Sequence, residues 1–273
     1  MNWLRATLAG ISQIFFLSNP WSGLVFLLAV LWASPLMAAG LLLGVISANL
    51  AARLAGFSTA DIQQGLFGFN AGLVGLLLSL CYSPSLLLVL GILSGAVASA
   101  LLFQLLRSLW AIPLFTAPFN LIMLPWLYLT QTSPLDLPVD PIPLLSGVSQ
   151  VLFVSDPVAA ILVALVLLFH GAPLLLWALG GSLAGIVAGI LFGLDPSSLA
   201  FGIAGFNPVL AAIGLYHHRL GWGWILAGML LAATAGAGLM AAGLPALTAP
   251  FVISCWLILL LDYFRRAAIR GEH

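Results

Sequence analysis

The chain has 273 residues, 63% hydrophobic and 5% charged, whereas soluble domains carry about 25% charged residues. Its seven arginines and seven acidic residues cancel, so no basic or acidic field points toward nucleic acid or a charged substrate. A water-soluble surface cannot be assembled from this composition, which predicts an all-α integral membrane protein.

The N-terminal Met1-Asn2-Trp3-Leu4-Arg5 leads into an apolar run with no small-residue cleavage site, so a cleaved signal peptide is not expected. No charge lies between Arg5 and Arg53, between Asp61 and Arg107, or between Arg219 and Asp262. Each gap exceeds the roughly 20 apolar residues that cross a hydrocarbon core as a helix. Hydropathy places five spans near residues 21–37, 38–55, 66–80, 85–106 and 114–130. A linker follows from Gln131 to Pro143, with four prolines, Asp136 and Asp140. Five more spans are expected near 158–172, 174–193, 203–217, 221–241 and 246–262. Gly181, Gly185 and Gly189, with the pairs Gly40/Gly44 and Gly91/Gly95, form small-residue stripes that let helices pack closely.

The two sets of spans are related by an internal repeat. Gln13-Ile14-Phe15-Phe16-Leu17-Ser18-Asn19-Pro20 returns as Gln150-Val151-Leu152-Phe153-Val154-Ser155-Asp156-Pro157, an offset of 137. Gly68-Phe69-Asn70-Ala71-Gly72-Leu73 returns at the same offset as Gly205-Phe206-Asn207-Pro208-Val209-Leu210. Pro113-Leu114-Phe115-Thr116-Ala117-Pro118-Phe119 returns at offset 132 as Pro245-Ala246-Leu247-Thr248-Ala249-Pro250-Phe251. Three motifs in one order define a first repeat over 1–133, an extracytoplasmic linker over 134–145 and a second repeat over 146–273. An odd number of spans per half turns the second half over, giving an inverted repeat. Starting from a cytoplasmic N-terminus, this count puts every arginine on one side, which the positive-inside rule identifies as the cytoplasm, together with both termini. Asp136, Asp140 and Asp195 fall on the other side.

The repeated motifs carry the polar chemistry. Prolines bracket Thr116 and Thr248, interrupting helical hydrogen bonding and freeing backbone carbonyls. Irregular backbone at membrane depth survives only where it is buried in protein or lines a polar cavity. A hydroxyl and freed carbonyls form a row of acceptors for N–H donors. The Gln-x-x-Phe pairs add an amide and a ring each, and Phe69 and Phe206 add two more rings, so opposed rings could pass a flat neutral molecule and reject a hydrated ion. A lone phenylalanine is more often core than pore. Recurrence at equivalent positions beside polar residues favours the pore.

Other chemistry is poorly supported. The chain has no nucleophile elbow, no His-Glu-x-x-His and no phosphate-cradling glycine loop. Cys81 and Cys255 have no ligand-spaced partner and are expected to pack as small apolar residues, so neither metal nor cofactor is expected. His170, His217 and His218 fall at span ends. Asp156 is either a pore-mouth acid or the N-cap of a helix opening at Pro157. No carboxylate is expected at the bilayer centre, which disfavours ion-coupled transport and favours passive permeation. An aquaporin-like channel is not indicated, because Asn19-Pro20-Trp21 and Asn207-Pro208-Val209 lack the Asn-Pro-Ala signature.

The Gln-x-x-Phe…Asn-Pro opening, the Gly-Phe-Asn-x-x-Leu segments and the Leu-Pro-x-x-Thr-x-Pro-Phe segments resemble the paired signatures of the urea transporter family. The last is exact in the second half, and Ile112 replaces its leucine in the first. The resemblance covers nearly the whole chain. It implies a passive, channel-like urea conductor of a cell membrane, with re-entrant half-helices beside the spans, forming a homotrimer with one pore per subunit. It further implies substrate contacts from Gln13, Phe16, Phe69 and Leu73 in one slot and Gln150, Phe153, Phe206 and Leu210 in the other. Thr116 and Thr248 would form the centre. Urea is planar and neutral, and its four N–H groups need acceptors once water is stripped, since an unpaired amide-like group costs roughly 2–7 kcal/mol. The residues alone also admit a coupled secondary transporter, or a channel for another small neutral polar solute.

Overall fold

The computed structural model describes residues 2–130 and 141–270, and all regular structure within them is helical. The first half contains α1 (Trp3–Ser12), a 3-10 turn (Gln13–Phe15), α2 (Pro20–Ala33), α3 (Pro35–Leu54), α4 (Thr59–Gln63), α5 (Gly68–Cys81), α6 (Leu86–Leu109) and α7 (Ala117–Thr130). The second repeats that order with α8 (Pro143–Ser149), a 3-10 turn (Gln150–Leu152), α9 (Pro157–His170), α10 (Ala172–Leu191), α11 (Pro196–Ala200), α12 (Phe206–His217), α13 (Trp222–Ala241) and α14 (Ala249–Arg270). Most of the expected linker, with Asp136 and Asp140, lies outside the described residues, and α8 already begins at its Pro143.

Local chemistry sets the helix starts. Asn19 Oδ1 accepts the amides of Trp21 at 2.9 Å and Ser22 at 3.3 Å, with Pro20 at the first helical position of α2. Asp156 does the same for α9 through the amide of Ala159 at 3.0 Å, so its carboxylate acts as a cap. The span expected over 21–37 is divided, because Ser34 is extended (φ −159°, ψ 109°) and Pro35 restarts the chain as α3.

α3, α6, α10 and α13 are long and apolar enough to cross a membrane. α1 with its turn bends by 76° into α2, and α8 with its turn bends by 79° into α9. Each bend sits at a left-handed phenylalanine, Phe16 (φ 61°) and Phe153 (φ 58°), whose amides close the turns onto the Gln13 and Gln150 carbonyls at 2.9 Å. A bulky residue pays of order 1–3 kcal/mol for that conformation.

Small residues bring the long helices together. α3 packs on α5 and α10 on α12. A Cβ on Gly75 would lie 2.0 Å from the Gly40 carbonyl oxygen, and one on Gly185 would lie 2.3 Å from that of Ala204. At the equivalent Gly65 (φ 82°) and Gly202 (φ 75°), the chain turns directly against the backbones of α1 and α8. The halves meet through α2 against α9, α7 against α14 and one 3-10 turn against the other. Leucines of α6 and α10, including Leu86, Leu87, Leu109 and Leu191, remain exposed as an apolar outer surface. The chain is an all-α, multi-pass integral membrane protein.

Candidate functional site

The two proline-bracketed segments meet in the interior. Before each, the backbone turns left-handed, at Phe115 (φ 49°) and Leu247 (φ 43°), so Thr116 and Thr248 stand outside helical geometry just ahead of α7 and α14. Both threonines are 3% exposed, and their hydroxyls hydrogen-bond to each other at 2.6 Å. The pair joins positions 132 residues apart, one from each half.

An asparagine clamps each segment. Asn70 Nδ2 donates to the Phe115 carbonyl at 3.3 Å, and its Oδ1 accepts the Phe119 amide at 3.1 Å. Asn207 Nδ2 donates to the Leu247 carbonyl at 2.8 Å, and its Oδ1 accepts the Phe251 amide at 3.0 Å. One amide thus satisfies the carbonyl of the strained residue and an unpaired donor at the helix start. Asn120 adds a contact without a twin. Its Oδ1 accepts both the Thr248 amide and the Thr248 hydroxyl at 3.1 Å, while the equivalent position at offset 132 is Val252.

The glutamines lie at the broken ends of α1 and α8. Gln13 Nε2 donates to Ser18 Oγ at 2.7 Å and to the Gln64 carbonyl at 3.0 Å. Gln150 Nε2 donates to Ser155 Oγ at 2.6 Å, and Ser155 Oγ donates to the Phe201 carbonyl at 2.9 Å. With their NH2 groups engaged, both side chains have their amide oxygens left as acceptors.

The rings of the Gln-x-x-Phe motifs reach across the halves. Phe16 is half-buried, and its ring centroid lies 5.9 Å from Phe115 and 6.0 Å from Phe251, both edge-on. A Cβ on Gly214 of α12 would come within 3.3 Å of the Phe16 ring. Phe153, also half-buried, lies 6.2 Å from Phe119 of α7. Phe69 packs edge-on against Phe103 of α6 at 5.9 Å, Phe206 is half-buried at the start of α12, and Leu73 and Leu210 are buried. The structure therefore brings together Thr116, Thr248 and, at one end, Phe16 with Phe115 and Phe251. Motif spacing did not single out Asn70, Asn120, Asn207, Phe115, Phe119 and Phe251 as site residues. The signal for four of them was present, since Asn70/Asn207 and Phe119/Phe251 are repeated motif positions.

The end of α12 lies beside this ring cluster. His217 lies 6.3 Å from Phe16 and His218 lies 5.6 Å from Phe115, ring to ring. A cavity of about 400 Å³ lined by Tyr216, His217, Arg219 and Leu220 opens there. Among the described residues, Asp262 is the buried carboxylate, and Arg265 at 2.9 Å and Arg266 at 2.6 Å neutralise it where α14 turns from apolar to basic. Asp61 pairs with Arg107 at 2.7 Å, joining α4 to the end of α6. Cys81 and Cys255 are buried free thiols.

Each half thus contributes a strained, asparagine-clamped turn that presents a buried hydroxyl. The family described as "Urea transporter" matches residues 4–263. Urea transporter 1 of Ovis aries is 31% identical over 299 residues, covering 93% of this chain and 76% of that protein. Urea transporter 1 of Mus musculus is 30% identical over 305 residues, covering 96% and 77%, and that of Rattus norvegicus is 31% identical over the same length and shares. The matched region contains both copies of all three repeated motifs, and on these grounds the chain belongs to the urea transporter family.

Proposed function

We propose that this chain conducts urea passively across the cell membrane, through a channel-like pore between two inverted repeats, and is not an enzyme. One observation carries the reading: the buried Thr116–Thr248 hydroxyl pair, with one member from each half, at the meeting point of two irregular segments. Each hydroxyl oxygen keeps a lone pair free while the pair stays bonded, so it can accept from urea N–H groups and replace bonds that urea has lost to water at small net cost. The amide oxygens of Gln13 and Gln150 serve as acceptors on either side. Phe16 and Phe153 with their cross-half ring partners offer flat faces to a planar solute, with Phe69, Leu73, Phe206 and Leu210 as their support. By the positive-inside rule the arginines support a cytoplasmic location for both termini. The apolar outer faces contact lipid and, in a homotrimer with one pore per subunit, neighbouring copies.

The second reading, a coupled secondary transporter, requires an ionisable group at membrane depth. Asp61, Asp156, Asp195 and Asp262 instead cap helices or pair with arginine near helix ends, which favours the passive pore. The test is urea efflux from proteoliposomes of the purified protein, followed by stopped-flow light scattering. Protein-dependent acceleration of urea flux is expected. Efflux at the rate of empty liposomes would reject the reading.

A further inference from the structure

The hydrogen-bond geometry at the centre of the molecule restricts where the two hydroxyl protons can go. The Thr248 backbone amide can only donate, so the Asn120 atom it meets at 3.1 Å is the oxygen, and the side-chain amide cannot be flipped. That same oxygen lies 3.1 Å from Thr248 Oγ1 and has no proton to give, so the Thr248 hydroxyl donates to it. A hydroxyl has one proton. With the Thr248 proton on Asn120, the 2.6 Å bond between the threonines is donated by Thr116 and accepted by Thr248. Both hydroxyl protons are committed to protein, and only lone pairs remain for a permeant.

We infer that Asn120 is a positioning residue that orders the two hydroxyl protons, so that the constriction presents acceptors alone, matched to a permeant rich in N–H donors. This rests on the reading of the threonine pair as the pore centre. A second observation supports it. Asn120 is 6% exposed and its Nδ2 is buried without a partner, a standing cost that an apolar residue would avoid, as Val252 does at the equivalent place. The asymmetry is functional in kind. Two threonines related by symmetry cannot both donate to each other, so one must have another acceptor, and a single asparagine supplies it. Without that acceptor the Thr248 proton is free to turn toward the permeant, where it meets a urea N–H and repels it.

The test is a double-mutant cycle on urea flux in proteoliposomes, using Asn120→Val, Thr248→Val and the two combined. Asn120→Val is expected to slow urea by about tenfold, the worth of one neutral hydrogen bond. Because Asn120 acts through the Thr248 hydroxyl, the double variant should be no slower than Thr248→Val alone. If the two substitutions multiply, Asn120 only packs and the inference is overturned. Should Asn120→Val fail to assemble, Asn120→Ala takes its place in the cycle. A parent protein that does not conduct urea would instead overturn the pore itself, a result separable from every arm of the cycle.

Discussion

A threonine hydroxyl and a valine methyl occupy nearly the same space, so Thr→Val separates chemistry from shape at the centre of this protein. Each of Thr116→Val and Thr248→Val leaves urea N–H groups short of an acceptor, a loss of about 1–3 kcal/mol. That corresponds to roughly 5- to 150-fold in urea flux where this step limits the rate, with a loss of about 1–3 kcal/mol in stability because the buried partner hydroxyl loses its bond to the other threonine. Stopped-flow flux and a melting curve on the same preparations check both halves of the statement. The asparagines act through the backbone. Asn70 and Asn207 each hold a left-handed turn and a helix start, so Asn→Ala at either position should lower stability by about 0.5–2 kcal/mol and flux along with it. Asn70→Asp is no milder, because a carboxylate oxygen would replace the NH2 that faces the Phe115 carbonyl at 3.3 Å. Much of this site is legible in the sequence, since the threonines stand between prolines and recur. The asparagine clamps and the cross-half ring partners were not, because motif spacing says which residues recur but not which copy they touch. Phe16 meets Phe251 and Gly214 of the second half, and Phe153 meets Phe119 of the first.

Among helices, the governing quantity is how closely backbones approach. A Cβ on Gly75 would sit 2.0 Å from a carbonyl oxygen of α3, whereas one on Gly91 of α6 would find its nearest neighbour, a leucine methyl, at 3.6 Å. Gly75→Ala should therefore force α5 away from α3 and cost about 1–3 kcal/mol or more. Gly91→Ala should be neutral or slightly stabilising, because alanine is the better helix former. Thermal melting of the two variants in detergent distinguishes them. Hydropathy located the long helices closely, including α3, α6, α10 and α13, since uninterrupted apolar length is what a span requires. It could not place the bends at Phe16 and Phe153, because a left-handed phenylalanine is a tertiary outcome that no local propensity favours. The Ser34-Pro35 break was in plain view as a proline, yet the apolar run around it reads as one continuous span.

For the whole molecule, the repeat and the arginines together define an arrangement in the membrane. Arg53 reaches Thr59 at 3.4 Å and Arg107 pairs with Asp61 at 2.7 Å, so the ends of α3 and α6 that carry arginine share one side with α4. With that side cytoplasmic, Ser197→Cys in α11 should react with an impermeant maleimide added outside, and Ala268→Cys near the end of α14 should not. Native Cys81 and Cys255 are buried and give little background. The reverse labelling pattern would contradict the orientation.

A pore of this kind equilibrates its solute and does nothing more, and the carboxylates among the described residues are engaged in helix caps or arginine pairs. The most direct check is accumulation in proteoliposomes that hold equal urea inside and outside, on which a proton gradient or a sodium gradient is then imposed. Radiolabelled urea should exchange rapidly and stay at equal concentrations, with and without an ionophore that collapses the gradient. Urea rising inside above the outside concentration, and falling back when the ionophore is added, would contradict passive conduction.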